Sequence, residues 1–104
     1  MRIQDTVLVS LSRFAQVVEI IKQDKHKYGF LRCSLSDEEN DSRCAIGLLL
    51  SHYGWDGMCN FSNSLYIADR RLDELISSYE QKVIADINDN SNSFDEVIDK
   101  LSAP

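Results

Sequence analysis

Apolar positions along the chain fall into blocks with helical spacing, separated by polar stretches. In the first block Val7, Leu8, Leu11, Phe14, Ala15, Val18 and Ile21 recur at intervals of three and four, which places them on one helical stripe. Asp5 or Thr6 is a suitable cap. The spacing predicts one helix to about Gln23, with a cationic end at Lys22, Lys25, His26 and Lys27 and a stop at Gly29. The β-branched run Thr6-Val7-Leu8-Val9 leaves a short strand open for residues 3–10.

The second block differs in kind. From Arg43 to Tyr53 the chain is apolar on nearly every side of a helical projection, opening after Ser42 and closing at Gly54. A helix apolar all round is buried all round. About residues 43–53 are therefore expected to form a central helix, with Ser42 as its cap. Gly47 in its interior costs about 1 kcal/mol against alanine. A closely packed neighbouring helix or a ligand approaching the backbone would offset that cost.

Phe30, Leu31, Cys33 and Leu35 suggest a small extended segment near 30–36, followed by the acidic turn Asp37-Glu38-Glu39-Asn40-Asp41. A third helix is predicted from about Asn63 to Ser77, burying Leu65, Ala68, Leu72, Leu75, Ile76 and Tyr79. Ser78-Tyr79-Glu80-Gln81 has capping-box spacing for a fourth helix on Val83, Ile84 and Ile87. Asn88 to Asn92 reads as a polar loop. Ser93-Phe94-Asp95-Glu96 then opens a last helix over 94–102. The sum is a mainly α single domain over residues 1–104, a bundle of four to five short helices.

Composition narrows the function classes. Hydrophobic residues make up 43% of the 104-residue chain, enough for one core without staples. Three cysteines, an odd number without the spacing of a disulfide framework, argue against a secreted disulfide scaffold. Polar residues interrupt the N-terminal apolar run, so neither a signal peptide nor a membrane span is expected there. A cytoplasmic setting, in a bacterial host cell, is the expectation. The formal net charge is −6, split into +3 over residues 1–36 and −9 over residues 37–104. Such a chain is a poor nucleic-acid binder and is steered toward basic surfaces.

Several residues carry candidate chemistry. Cys44 near a helix N-terminus is either a core cysteine or a nucleophile. His52, eight residues along the same helix and about 12 Å away, is too far to act directly as its base. Cys33, Cys44, Cys59, His26 and His52 contain no close ligand pair, so neither a metal nor another cofactor is expected. Asp86, Asn88 and Asn90 begin like a calcium loop, but Ser91 and Val97 stand where glycine and glutamate are needed. Lys22, Lys25, His26, Lys27 and Arg32, with Gly47 and His52, form an alternative site for a nucleotide-like ligand.

Two motifs resemble a family of small, functionally uncharacterised proteins of bacteria and phages. One is the Cys-Ala-x-Gly-(Ala/Leu)-Leu helix, here Cys44 to Leu49. The other is Asn-Asp, a polar loop and Ser/Thr-x-x-Glu-Val, here Asn88-Asp89 followed by Ser93 to Val97. Their order and spacing agree over about residues 42–101. Where family members often carry a tryptophan after the first helix, this chain has Tyr28-Gly29-Phe30. The resemblance implies a mostly helical fold and a prokaryotic or viral setting, and supplies no catalytic residues.

The expected function is that of a small acidic inhibitor without enzymatic activity. It would be encoded by a phage or mobile element and would occupy a basic surface on a larger protein, as an anti-CRISPR or other anti-defence factor or as a toxin immunity protein. The expected contact residues are Asp37, Glu38, Glu39, Asp41, Asp86, Asp89, Asp95 and Asp99, with Trp55 as an apolar anchor where it is exposed and a lid on the core where it is not, and Glu96 partly committed to capping.

Overall fold

The computed structural model describes the backbone of residues 3–37, 40–57 and 63–102, with side chains from Phe14 onward within those ranges. Helix α1 spans Ile3–Asp24 and leads through a 3-10 turn at Lys25–Lys27 into strand β1, Gly29–Phe30. Strands β2, Ser36–Asp37, and β3, Ser42–Arg43, precede helix α2, Ala45–His52. Helices α3, Asn63–Leu75, α4, Ser78–Asp89, and α5, Phe94–Ser102, complete the chain. The protein is mainly helical, with a small three-stranded sheet in the order β1-β3-β2.

Residues 3–10 are helical, so the unbroken stripe prevails over β-branched propensity. Val17, Val18 and Ile21 are buried, whereas Ala15, expected on the stripe, is exposed. The helix carries Lys22 in its last turn and ends at Asp24, with Lys25, His26 and Lys27 in the 3-10 turn beyond it. Gly29 does not stop it but sits in β1, paired parallel to Ser42.

Helix α2 is the centre of the core, with Ala45 through Leu50 all buried. Its cap differs from expectation. Ser42 and Arg43 belong to β3, and the N-cap is Cys44, whose Sγ accepts the Gly47 N–H at 3.3 Å. Thiols are weak acceptors, and this one is largely buried. Gly47 also has a different reason from the expected neighbouring helix. A Cβ there would lie 2.0 Å from the Leu35 carbonyl oxygen, so the backbone of the 31–37 strap crosses where a side chain would stand.

The third helix ends at Leu75, and Ile76 is buried just beyond it. Tyr79, expected inside, is 75% exposed. The reason is a one-residue shift of the capping box. Ser77 Oγ accepts from Glu80 N at 3.1 Å and the Glu80 carboxylate accepts from Ser77 N at 2.9 Å, so Tyr79 falls on the outer side of α4. Helix α4 also runs further than expected, to Asp89. Helix α5 matches its expected range and buries Phe94, Val97, Ile98 and Leu101. Ser93 Oγ accepts from Glu96 N, while the Glu96 carboxylate reaches Asn92 N rather than Ser93 N. Among the described residues no helix is long and apolar enough to cross a membrane.

Candidate functional site

The expected acidic contact residues divide by environment. Asp86, Asp89, Asp95 and Asp99 are exposed on α4 and α5. Asp89 accepts the Cys33 N–H at 2.8 Å, and Asp95 pairs with Lys25. Asp86 and Asp99 make no ion pair among the described residues. Asp37 is half-buried in β2 and accepts from Asn40 Nδ2 at 2.8 Å. Asp41 is exposed, with a left-handed φ of 51°, and faces Arg43 Nη2 at 3.4 Å. Glu38 and Glu39 lie outside the described residues. The Asn92 N–H and Lys100 stabilise the charged form of Glu96 and hold its carboxyl below the usual range, with the Asn92 bond the larger cause.

Trp55 cannot serve as an exposed anchor, because it is 5% exposed and belongs to the core. It lies under Arg43, whose guanidinium sits 5.8 Å from the Trp55 ring and 4.6 Å from the Tyr28 ring. Arg43 is itself buried. Its Nε donates to Ser51 Oγ at 3.0 Å and its Nη1 to the Ser42 carbonyl at 2.9 Å. A Cβ on Gly57, where φ is 84°, would come within 2.1 Å of Arg43 Nη2, so the turn after Trp55 closes against the cation. The two aromatic faces and these bonds compensate for a buried charge. Trp55 Nε1 is buried, with no hydrogen-bond partner among the described residues.

The basic group at the end of α1 is largely neutralised within the fold. Lys22 lies 3.9 Å from Glu19, Lys25 pairs with Asp95, and Lys27 lies 3.3 Å from Asp24. Buried Asp24 also meets His52 Nδ1 at 3.1 Å, tying the end of α2 to the end of α1. His26 and Arg32 are exposed. Gly47, the remaining member of the alternative set, is covered by the strap. The structure therefore does not gather these residues around one cavity.

A groove of about 400 Å³ does form elsewhere, between the strap and α4. Cys33 and Leu35 stand on its strap side, Lys82 and Asp89 on its α4 side, and Cys44 and Ile46 at its floor. Burial pushes the Cys44 thiol up, partly offset by the Gly47 and Ile46 amides. His52 is occupied with Asp24, so Cys44 has no histidine base from that side. Among the described residues no group of three or more histidine, cysteine or acidic side chains is placed to hold a metal ion.

The residue that sequence reasoning missed is Asn88, which is fully buried rather than part of a polar loop. Its Oδ1 accepts from Ala45 N at 2.8 Å, satisfying the first amide of α2. Its Nδ2 donates to the Leu31 carbonyl at 2.9 Å. One amide thus joins α4, the N-terminus of the central helix and the strap. Fully buried Ser91 donates from Oγ to the Ile87 carbonyl. The signal was spacing: Asn88 lies four positions after Ile84, on the same helical stripe. Comparison with protein-family models, with curated proteins and with solved structures gives no match.

Proposed function

We propose that this protein works by binding rather than catalysis, docking its acidic α4–α5 side on a basic surface of a larger protein. One observation carries the reading. Three lysines at the end of α1 are answered by acids within the fold, whereas Asp86 and Asp99 stay exposed with no described counter-ion. Helices α4 and α5 together carry six acidic residues against Lys82 and Lys100, the acidic side of the −6 chain. A surface of that sign accelerates encounter with a basic cleft and rejects nucleic acid. The resemblance over residues 42–101 supports a phage or mobile-element setting. Inhibition of a host nuclease or other nucleic-acid-binding defence protein, or neutralisation of a toxin, fits such a surface. The site of action on this reading is the bacterial cytoplasm.

The test is affinity capture from host lysate across a salt series, with bound proteins identified by mass spectrometry. Wild type and a Lys22→Gln variant retain the same basic protein at low salt, and Asp86→Asn/Asp99→Asn retains less of it. Loss of the partner by the lysine variant alone contradicts the acidic-docking reading.

A further inference from the structure

The strap contains a second feature that acidic docking does not use. It begins and ends beside Cys44. On one side β1 runs parallel to β3, and Leu31 N donates to the Arg43 carbonyl at 2.9 Å. On the other side β2 runs antiparallel to β3, and Cys44 N donates to the Leu35 carbonyl at 3.4 Å. Cys33 is midway between these two anchors, so the loop arches over the cap of α2 with a thiol at its middle. The backbone there is held in an uncommon state: Cys33 has a φ of 64°, and Asp89 fixes its N–H. Both Cys33 and Cys44 line the same groove, one exposed and one buried, and both are free thiols.

We infer that Cys33 and Cys44 form a redox latch, closing to an intramolecular disulfide when the protein meets a low-molecular-weight disulfide such as oxidised glutathione. The exposed thiol reacts first. Cys33, as its thiolate, attacks one sulfur of the oxidant, forming a mixed disulfide and releasing one small thiolate. Cys44 then gives up its proton and attacks Cys33 Sγ, expelling the second small thiol. The protein dithiol loses two electrons and two protons, and the small disulfide is reduced to two thiols. The high pKa that burial gives Cys44 favours this order, since the buried thiol is the poorer first nucleophile. Closure joins the middle of the strap to the cap of α2 and narrows the groove between strap and α4. It also changes the sulfur that accepts the Gly47 N–H.

The experiment uses the full chain carrying Cys59→Ser, which removes the third thiol, together with the wild type. Each is incubated with oxidised glutathione, and intact mass and peptide maps are recorded. The expected result is a loss of two hydrogens per chain, a Cys33–Cys44 cross-linked peptide, and a rise in Tm of roughly 10 °C that dithiothreitol reverses. Cys33→Ser/Cys59→Ser shows neither the cross-link nor the rise. A reaction that stops at a stable glutathione adduct on Cys33, a disulfide between two chains, or no oxidation at all overturns the latch. Should Cys59→Ser fail to fold, the peptide map of oxidised wild type decides it: a Cys33–Cys44 peptide supports the latch, and cross-linking only to Cys59 refutes it.

Discussion

Replacing Asn88 with alanine tests how the central helix is held. The substitution removes one acceptor and one donor at a site with no solvent exposure. It leaves the Ala45 N–H and the Leu31 carbonyl without their partners. An unsatisfied buried polar group costs about 1–3 kcal/mol; the Ala45 N–H is such a group and the Leu31 carbonyl is partly buried, so the predicted loss is about 2–5 kcal/mol. The lost amide volume adds a smaller packing term. For a domain of this size that corresponds to a fall in Tm of roughly 10–20 °C. The assay is equilibrium urea unfolding followed by circular dichroism, with m compared between variants to establish that only the midpoint moves. Asn88→Asp separates the two bonds. Its carboxylate still accepts from Ala45 N, at the end of α2 where negative charge is favoured, but cannot donate to Leu31. Protonation restores a donor, and burial raises the folded-state pKa of the new acid. The stability of Asn88→Asp relative to wild type should therefore improve as pH falls through that raised pKa. A loss below about 0.5 kcal/mol for Asn88→Ala would refute the reasoning, because it would show that neither backbone group depends on the amide.

Gly47→Ala should destabilise by about 1–3 kcal/mol in the same assay despite alanine's better helix propensity, since its Cβ meets the Leu35 carbonyl oxygen at 2.0 Å; an unchanged midpoint would mean the strap yields freely. Arg43→Met should leave Ser51 and Asp41 without their cationic partner and loosen Trp55; intrinsic fluorescence and Tm report both, and a rise in Tm would show that the buried charge costs more than its contacts return. Glu96 has a lowered folded-state pKa, so its contribution is present above its unfolded pKa and is lost as pH falls through the folded value. Glu96→Gln should flatten that part of the acid limb of stability against pH, and an identical limb would deny the Asn92 cap its role. At neutral pH an alkylating reagent should label Cys33 well before Cys44, read by peptide mapping; equal rates would contradict the burial of Cys44.

The helices were largely legible because each carries a long periodic stripe, and α5 was readable to the residue because Ser93 and its apolar spacing agree. Registers that depend on which of two adjacent serines caps a helix were not legible, as the Ser77–Glu80 box shows. Burial of polar residues was the other blind spot. Asn88 read as part of a polar loop and Arg43 as a member of the central helix, and only the tertiary fold supplies the backbone groups and aromatic faces that make the burial of these polar side chains favourable. For Trp55 the turn sequence leaves both an exposed anchor and a core lid open; the structure shows the lid, with a guanidinium packed against it that the sequence did not indicate. In the candidate site the exposed aspartates of α4 and α5 were readable from sequence. The neutralisation of the α1 lysines was not, because Lys25 and Asp95 are 70 residues apart.

Once a partner has been captured, the association rate constant against ionic strength tests the acidic-docking reading most directly. If Asp86 and Asp99 lead a steered encounter, the rate for wild type falls about tenfold or more between low and high salt, as the Debye length shrinks from about 30 Å at 0.01 M to about 3 Å at 1 M. Asp86→Asn/Asp99→Asn should start slower and show a shallower dependence, with dissociation changed less than association. A wild-type rate that is flat across the salt series, or a double variant that matches wild type at every salt concentration, would contradict the account.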